Sequence, residues 1–434
     1  MKHRLLFMAA VLFSIQAAVA QETRAITLKE AIDLTLAYNK TLKTNKTKIE
    51  EASAAVKEAY ERKLPEASIS GSYLYLLVQP TINLKTGSDS AGGSPSVHQA
   101  IYGMASVSVP VYAGGRIKYG IESAKYLEEA VKLDAENDRD LVILNVTNAC
   151  INLYKAHQAI ALVKENLETS QQRVKDLTSL EKNGLLARND LMKAELQSSN
   201  IELTLLDAES NYKIASVNMN LMMGLPEQTM LVPDKSGLAL PTAVKTLDEY
   251  EQDALKNRKD ISAVSFRKKA ATVGIQSAKS NYYPSLAFTG GYIAADIPGF
   301  LSITNAVNIG VGVKYDLASL WKTKTKVQQA KIKEQQVQLS EEMLNDNIRM
   351  QINQAYQVYL VSVKKIQVYE KAVLQAEENY RITKNKFDNS LTTTTELLDA
   401  DVALLQTKLS VTNSKADSFL AYNKLLQASG SINQ

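Results

Sequence analysis

The chain has 434 residues, 45% of them apolar and 22% charged, with 50 basic side chains against 46 acidic ones. That length allows a sizeable core, and a formal charge of +4 offers no electrostatic case for binding nucleic acid. Cys150 is the only cysteine, so no disulfide forms within the chain, and its thiol is expected to pack on a helix.

Residues 1–20 read as a signal peptide. Lys2, His3 and Arg4 precede the apolar run Leu5–Ile15, and Ala18-Val19-Ala20 supplies small residues at the cleavage positions. Gln21 is the expected first mature residue, and removal of Lys2 and Arg4 lowers the formal charge to about +2. The apolar run is too short to span a bilayer, and no cysteine follows the cleavage site to carry a lipid. No later stretch offers about twenty consecutive apolar residues. The mature chain is therefore expected outside the cytoplasm, either soluble or inserted in a membrane as strands.

Helices are expected where Gly and Pro are missing: 22–64, 121–183, 185–223 and 313–429. Ile117, Ile121, Ala124, Leu127 and Val131 form an apolar stripe at helical spacing, as do Ile348, Ile352, Ala355, Tyr359, Val363 and Ile366. A helix over 116–182 would be about 100 Å long and must lie against others in a coiled-coil-like array.

Two intervals between these helices alternate with period two. The expected strands are 66–78 with 100–112, and 285–296 with 305–317, each long enough to cross a bilayer with tilt. In the first, Ile69, Tyr73 and Tyr75 alternate with Ser68, Ser70 and Ser72; in the last, Val307, Ile309, Val311 and Val313 alternate with Asn308, Gly310 and Gly312. The segment 79–99, rich in Gly, Ser and Asp, reads as an exposed turn.

The unit then recurs. Thr27-Leu28 with Glu30 returns 219 residues later as Thr246-Leu247 with Glu249, and the same offset carries Pro65, Gly71 and Tyr73 to Pro284, Gly290 and Tyr292. Farther on, Gly184-Leu185 matches Ser390-Leu391, Asp190-Leu191 matches Glu396-Leu397, and Ala194 matches Ala400. The expected organisation is a first repeat over 21–225, a linker over 226–245, a second repeat over 246–429 and a tail over 430–434. Two repeats supply four strands, fewer than the smallest single-chain membrane barrels contain. The barrel must be shared between chains, as a dimer with eight strands or a trimer with twelve.

Val109-Pro110-Val111-Tyr112-Ala113-Gly114-Gly115-Arg116 resembles the strand-to-helix junction of the TolC family of outer-membrane efflux proteins. Gly184-Leu185-Leu186-Ala187-Arg188-Asn189-Asp190-Leu191, followed by Ala194, resembles that family's helical-hairpin tip. The likeness covers essentially the whole mature chain. It implies a mainly α chain with a membrane β-barrel portion, a homotrimer closing a twelve-stranded barrel and a twelve-helix periplasmic tube. The implied partners are outer-membrane lipid, a periplasmic adaptor and an inner-membrane transporter of the RND, ABC or MFS type. The tips Gly184, Leu185, Asp190, Leu191, Ser390 and Leu391 would meet the adaptor. Glu396 and Asp399 fall where the family places acidic residues around the periplasmic gate, one helical turn apart on one face. Departures from the pattern are Ser390 for a turn glycine, Thr392 for an arginine that holds the gate, and Phe387 for a tyrosine.

Tyr73, Tyr75, Tyr102, Tyr112, Tyr292, Phe300 and Trp321 are candidates for membrane-interface belts, with packing at subunit seams as the alternative. Gly114-Gly115 reads as a tight turn, since no Lys-Ser/Thr follows to make a phosphate cradle. His3, His98 and His157 are too dispersed for a metal site, no cofactor is implied, and no nucleophile–base motif points to an enzyme. The competing class is a periplasmic coiled-coil adaptor without a pore. It lacks a reason for two amphipathic strand pairs of bilayer length. The transported substrate is not encoded in these features.

Overall fold

Residues 23–78, 97–234 and 244–432 are described by the computed structural model. The expected leader, most of the expected turn over 79–99 and part of the linker lie outside the described residues. In chain order the elements are β1 (Thr23–Ile26), α1 (Leu28–Tyr38), α2 (Lys40–Glu61), β2 (Glu66–Tyr75), β3 (Gln99–Ala113), α3 (Arg116–Lys182) and α4 (Arg188–Met223). There follow β4 (Met230–Pro233), α5 (Leu247–Asn257), α6 (Lys259–Lys279), β5 (Ser285–Ile297), β6 (Leu301–Lys314), α7 (Ser319–Asp388) and α8 (Thr394–Ala428). The expected long helices are continuous, α3 over 67 residues and α7 over 70.

The chain divides into two compact units. One, described over 47–78, 97–132 and 262–342, holds a four-stranded antiparallel sheet in the order β2-β3-β5-β6. All four expected strands are present, and β6 begins earlier than the expected residue 305. Leu301–Ile303 continue the ladder opposite Ala295–Ile297 past an irregularity at Ile293/Ala295 that interrupts the sequence pattern. The register sets Ile69 opposite Ala105, Ala105 opposite Tyr292 and Tyr292 opposite Val307, so apolar residues of all four strands share one face. Ser68 and Ser106 meet on the other face, their hydroxyls 2.9 Å apart. At one end every strand joins a helix: α2 leads into β2, α6 into β5, β3 into α3 and β6 into α7. The turn into α3 requires glycine. Gly114 has φ of 62°, and a Cβ there would stand 2.4 Å from the Ser280 carbonyl oxygen.

The other unit, described over 23–46, 133–234, 244–261 and 343–432, is built from helices and one two-stranded parallel sheet. That sheet pairs β1 with β4, Arg24 opposite Leu231. The segment 226–245, expected as plain linker, thus supplies a strand. Four residues are too few to carry a periodic signal, and the pairing partner lies about 200 residues earlier. One core gathers Ile26, Val146, Leu153, Met219, Met223 and Leu231; a second gathers Tyr250, Ile348, Ile352, Tyr359 and Leu425. The duplication is visible in the caps. The Thr27 hydroxyl accepts from the Glu30 N–H, and Thr246 does so from Glu249 in a full capping box. Gly224 and Gly430, 206 residues apart, both adopt positive φ just past a helix end, and the following residues donate to Asn220 and Leu426. Gly430 therefore stands in the second half where Gly224 stands in the first.

Cys150 is buried in the first core as expected, and burial pushes its thiol pKa up to about 11. The native protein at pH 8 should resist a maleimide probe for hours, and labelling should appear on denaturation. Rapid labelling of the folded protein, read by intact mass, would contradict this burial.

Candidate functional site

The sheet presents one face suited to an apolar medium. Ile69, Val307, Ile309, Val311 and Val313 are all strongly exposed, and Ile309 is 90% exposed. The candidate aromatics divide along the strands. Tyr73 and Tyr75 stand near the loop end, opposite Ile101 and Gln99, and Phe300 lies in the turn between β5 and β6. Tyr112 stands at the helix end, opposite Leu286, where exposed Tyr283, Tyr315 and Trp321 accompany it. Eleven residues of β3 separate Tyr112 from the Tyr73 row, about 35 Å along a strand and about 25 Å across a layer at ordinary barrel tilt. Tyr292 lies between the two groups, its hydroxyl near Asn305. Tyr102 falls on the other face, opposite Ser72 and Ala295, so it is not part of this apolar surface.

The two helical-hairpin turns have the same backbone design. Gly184 and Ser390 both adopt left-handed φ, 72° and 60°. The Leu185 N–H donates to the Leu180 carbonyl at 2.9 Å, and the Leu391 N–H donates to the Lys386 carbonyl at 2.8 Å. Ser390 therefore occupies the glycine position at a cost of about 1 kcal/mol. Leu185 and Leu391 protrude, each 75% exposed. Leu191 is fully buried instead, packed with Leu177, Ala194 and Leu398, with Leu186 and Phe387 against them. It shapes the turns from inside and presents no surface. Asp190 is held by the Lys193 ammonium at 3.1 Å, and that ammonium also donates to the Thr395 hydroxyl at 3.2 Å, tying the two turns together.

Glu396 and Asp399 lie in the first two turns of α8, and both are exposed. Glu396 sits three residues after the cap Thr393, whose hydroxyl accepts from the Glu396 N–H at 3.3 Å. Neither carboxylate has a cationic partner among the described residues. Thr392 lies in the turn itself, with its hydroxyl buried and without a hydrogen-bond partner among the described residues. The pattern on α8 is strict: Leu397, Leu398, Ala400 and Asp401 point inward, Glu396 and Asp399 outward.

Asp401 is the functional-looking residue that sequence reasoning missed. Its carboxylate is buried and accepts from the Arg173 guanidinium at 2.8 Å and from the Asn166 amide at 3.1 Å. Arg173 also donates to the Tyr380 hydroxyl at 3.0 Å. Burial alone would push the guanidinium pKa down; the hydrogen bond and charge of Asp401, with Tyr380, more than offset it and leave the pKa raised. Helices α3, α7 and α8 thus meet at one desolvated charge pair. A signal did exist: Arg173 lies on the buried stripe of Ser170 and Leu177, and Asp401 on that of Leu397 and Leu398, where an unpaired charge would be expensive.

Residues 31–225 and 251–431 match a family of sequences described as outer membrane efflux protein. The chain belongs to that family. It is similar to the outer membrane efflux protein BepC of Brucella suis, 21% identical over 323 residues that cover 74% of this chain and 70% of BepC. The outer membrane protein TolC of Vibrio cholerae is 22% identical over 307 residues, 68% of each chain. The fold matches the crystal structure of the outer membrane protein VceC from Vibrio cholerae with a TM-score of 0.75, 18% identity and coverage of 93% of this chain and 96% of that one. This efflux protein is an outer-membrane protein with the TolC-like fold of strands and long helical hairpins. Its family is one of transport channels rather than enzymes.

In this efflux protein the Arg173–Asp401 pair should behave as a buried ion pair. Arg173→Ala alone is expected to cost about 3–5 kcal/mol, whereas Arg173→Met combined with Asp401→Leu should cost far less. Urea unfolding in detergent, followed by circular dichroism, measures both. A single-variant loss below about 1 kcal/mol would place the pair among inconsequential surface contacts.

Proposed function

We propose that this chain forms a homotrimeric outer-membrane channel, the exit duct of a tripartite efflux or type I secretion system. The observation that carries the reading is the four-stranded sheet with an apolar face and two edges, β2 and β6, that are unpaired among the described residues. Open edges in lipid leave backbone groups unsatisfied at several kcal/mol each, and pairing β6 of one copy with β2 of the next removes them. Three copies give twelve strands, the number the family resemblance implies. The apolar face then meets lipid, and the serine and glycine face lines the interior. The aromatics at the two ends of the strands fit the two membrane interfaces.

The helix end of the sheet is read as the periplasmic side. The hairpin turns are read as the periplasmic mouth, with Leu185 and Leu391 offered to a periplasmic adaptor that couples an inner-membrane transporter of the RND, ABC or MFS type. Glu396 and Asp399, exposed and without cationic partners among the described residues, supply six carboxylates to that mouth in a trimer. A ring of this kind lowers the local potential and favours cations. With Thr392 in the turn and Arg173–Asp401 buried behind it, the closed state leans on helix packing, including Phe387, rather than on an arginine at the mouth.

Purified protein should have the mass of a trimer by detergent-corrected light scattering and conduct as a cation-preferring channel in a planar bilayer. Glu396→Ala with Asp399→Ala should reduce the cation-to-anion permeability ratio at least about twofold and weaken block by multivalent cations from the periplasmic side. Thr392→Ala should change little. A stable monomer with full strand content, or unchanged selectivity in the double variant, would overturn the corresponding part of the reading.

Docking at the turns has its own test. Leu185→Asp or Leu391→Asp should abolish drug efflux in cells while leaving the level of assembled protein unchanged. Normal efflux in both variants would remove the turns from the adaptor interface.

A further inference from the structure

At the helix end of the sheet, the junctions into α3 and α7 enclose a cavity of about 240 Å³. Four cationic side chains line it, Arg116, Lys314, Lys322 and Lys326, against a single carboxylate, Asp316. None of the four has an ion-pair partner within 4.0 Å among the described residues. Asp316 is partly engaged, since one of its oxygens accepts from the Ala318 N–H at 3.0 Å. On α7, Ser319, Lys322, Thr323 and Lys326 recur at helical spacing and so turn one face toward the cavity.

Ser319 supplies an independent sign of a ligand. It lines the cavity, is only 8% exposed, and its buried hydroxyl has no hydrogen-bond partner among the described residues. A buried hydroxyl left without a partner is unfavourable, and an acceptor entering the cavity would satisfy it. Ser319 is also the first residue of a 70-residue helix, whose positive end faces the same space. The first N–H groups of α7 are already bonded to Asp316, Leu317 and Ala318. The helix therefore contributes its field, and the side chains contribute the hydrogen bonds.

We propose that this cavity binds a phosphate group carried by an anionic phospholipid. A cation is repelled by the lining. A phosphate offers several acceptor oxygens to the guanidinium, the ammonium groups and the Ser319 hydroxyl together. The lipid source follows from the surroundings: Leu317, Leu320 and Trp321, next to the cavity residues, and Tyr283, in its wall, are all exposed, as side chains bordering a headgroup layer are. The lipid assignment rests on the reading that the helix end of the sheet lies at the periplasmic face of the outer membrane.

Native mass spectrometry of delipidated protein tests this, because one spectrum reports oligomer mass and bound lipid separately. The probes are phosphatidylglycerol, diacylglycerol with the same chains, and inorganic phosphate. Phosphatidylglycerol should be retained and diacylglycerol lost. Arg116→Ala with Lys322→Ala and Lys326→Ala should weaken phosphatidylglycerol binding about tenfold or more, and Ser319→Ala about threefold. The serine variant keeps every charge and serves where the triple variant does not assemble. Equal retention of phosphatidylglycerol by the wild type and Ser319→Ala, or equal retention of both lipids, overturns the proposal. Displacement of phosphatidylglycerol by inorganic phosphate at equal concentration overturns the lipid source. An oligomer other than a trimer that still retains phosphatidylglycerol, and loses it in the variants, would support the cavity while refuting the trimer.

Discussion

Backbone hydrogen bonding at the edges of one sheet sets the terms for the membrane part of this protein. Four strands pair in the order β2-β3-β5-β6, and among the described residues the outer strands each keep one row of N–H and C=O groups without a partner. In water such an edge is tolerable; in lipid each unmet group costs several kcal/mol. The sheet also turns its apolar residues outward, with Ile69 and Ile309 almost fully exposed. A surface of that kind suits lipid on its face. In the proposed oligomer, assembly answers backbone chemistry before side-chain fit.

The duplicated hairpins show how one backbone plan carries different chemistry. Gly184 and Ser390 take the same left-handed conformation, and both turns close with the same hydrogen bonds. The side chains then diverge. In the first hairpin Asp190 is neutralised by Lys193. In the second, Glu396 matches Asp190 and Asp399 matches Lys193, so a compensated pair becomes two exposed acids. The strain at Ser390 is tolerated because the neighbouring core, Leu177, Leu191, Ala194 and Leu398 with Phe387, fixes the turn from within.

Charge is used in two opposite ways along α8. Asp401 is desolvated and fully committed to Arg173 and Asn166, which gives it a fixed geometry and removes it from any contact with solutes. Glu396 and Asp399 lie on the outward face, exposed to solvent. Burial decides which acid holds helices together and which stays on the surface.

Much of this was legible in the residues. The missing glycines and prolines marked the long helices, because those residues are costly inside a helix, and strict alternation marked β2, β3, β5 and β6. Repeated caps and turns exposed the duplication, since Thr-x-x-Glu and a left-handed turn residue are local requirements of a helix end. Tertiary structure alone decided the rest. The β1–β4 pair is too short for any pattern to announce it, whereas the place of Tyr102 on the face of Ser106 and Ser108 already follows from the alternation. The partnership of Arg173 with Asp401, 228 residues apart, and the cavity that collects Arg116 with Lys314, Lys322 and Lys326 depend on which elements lie side by side. Local sequence encodes periodicity and capping, which act over a few residues; charge pairing and enclosure act through space, and only the folded chain brings those groups within reach.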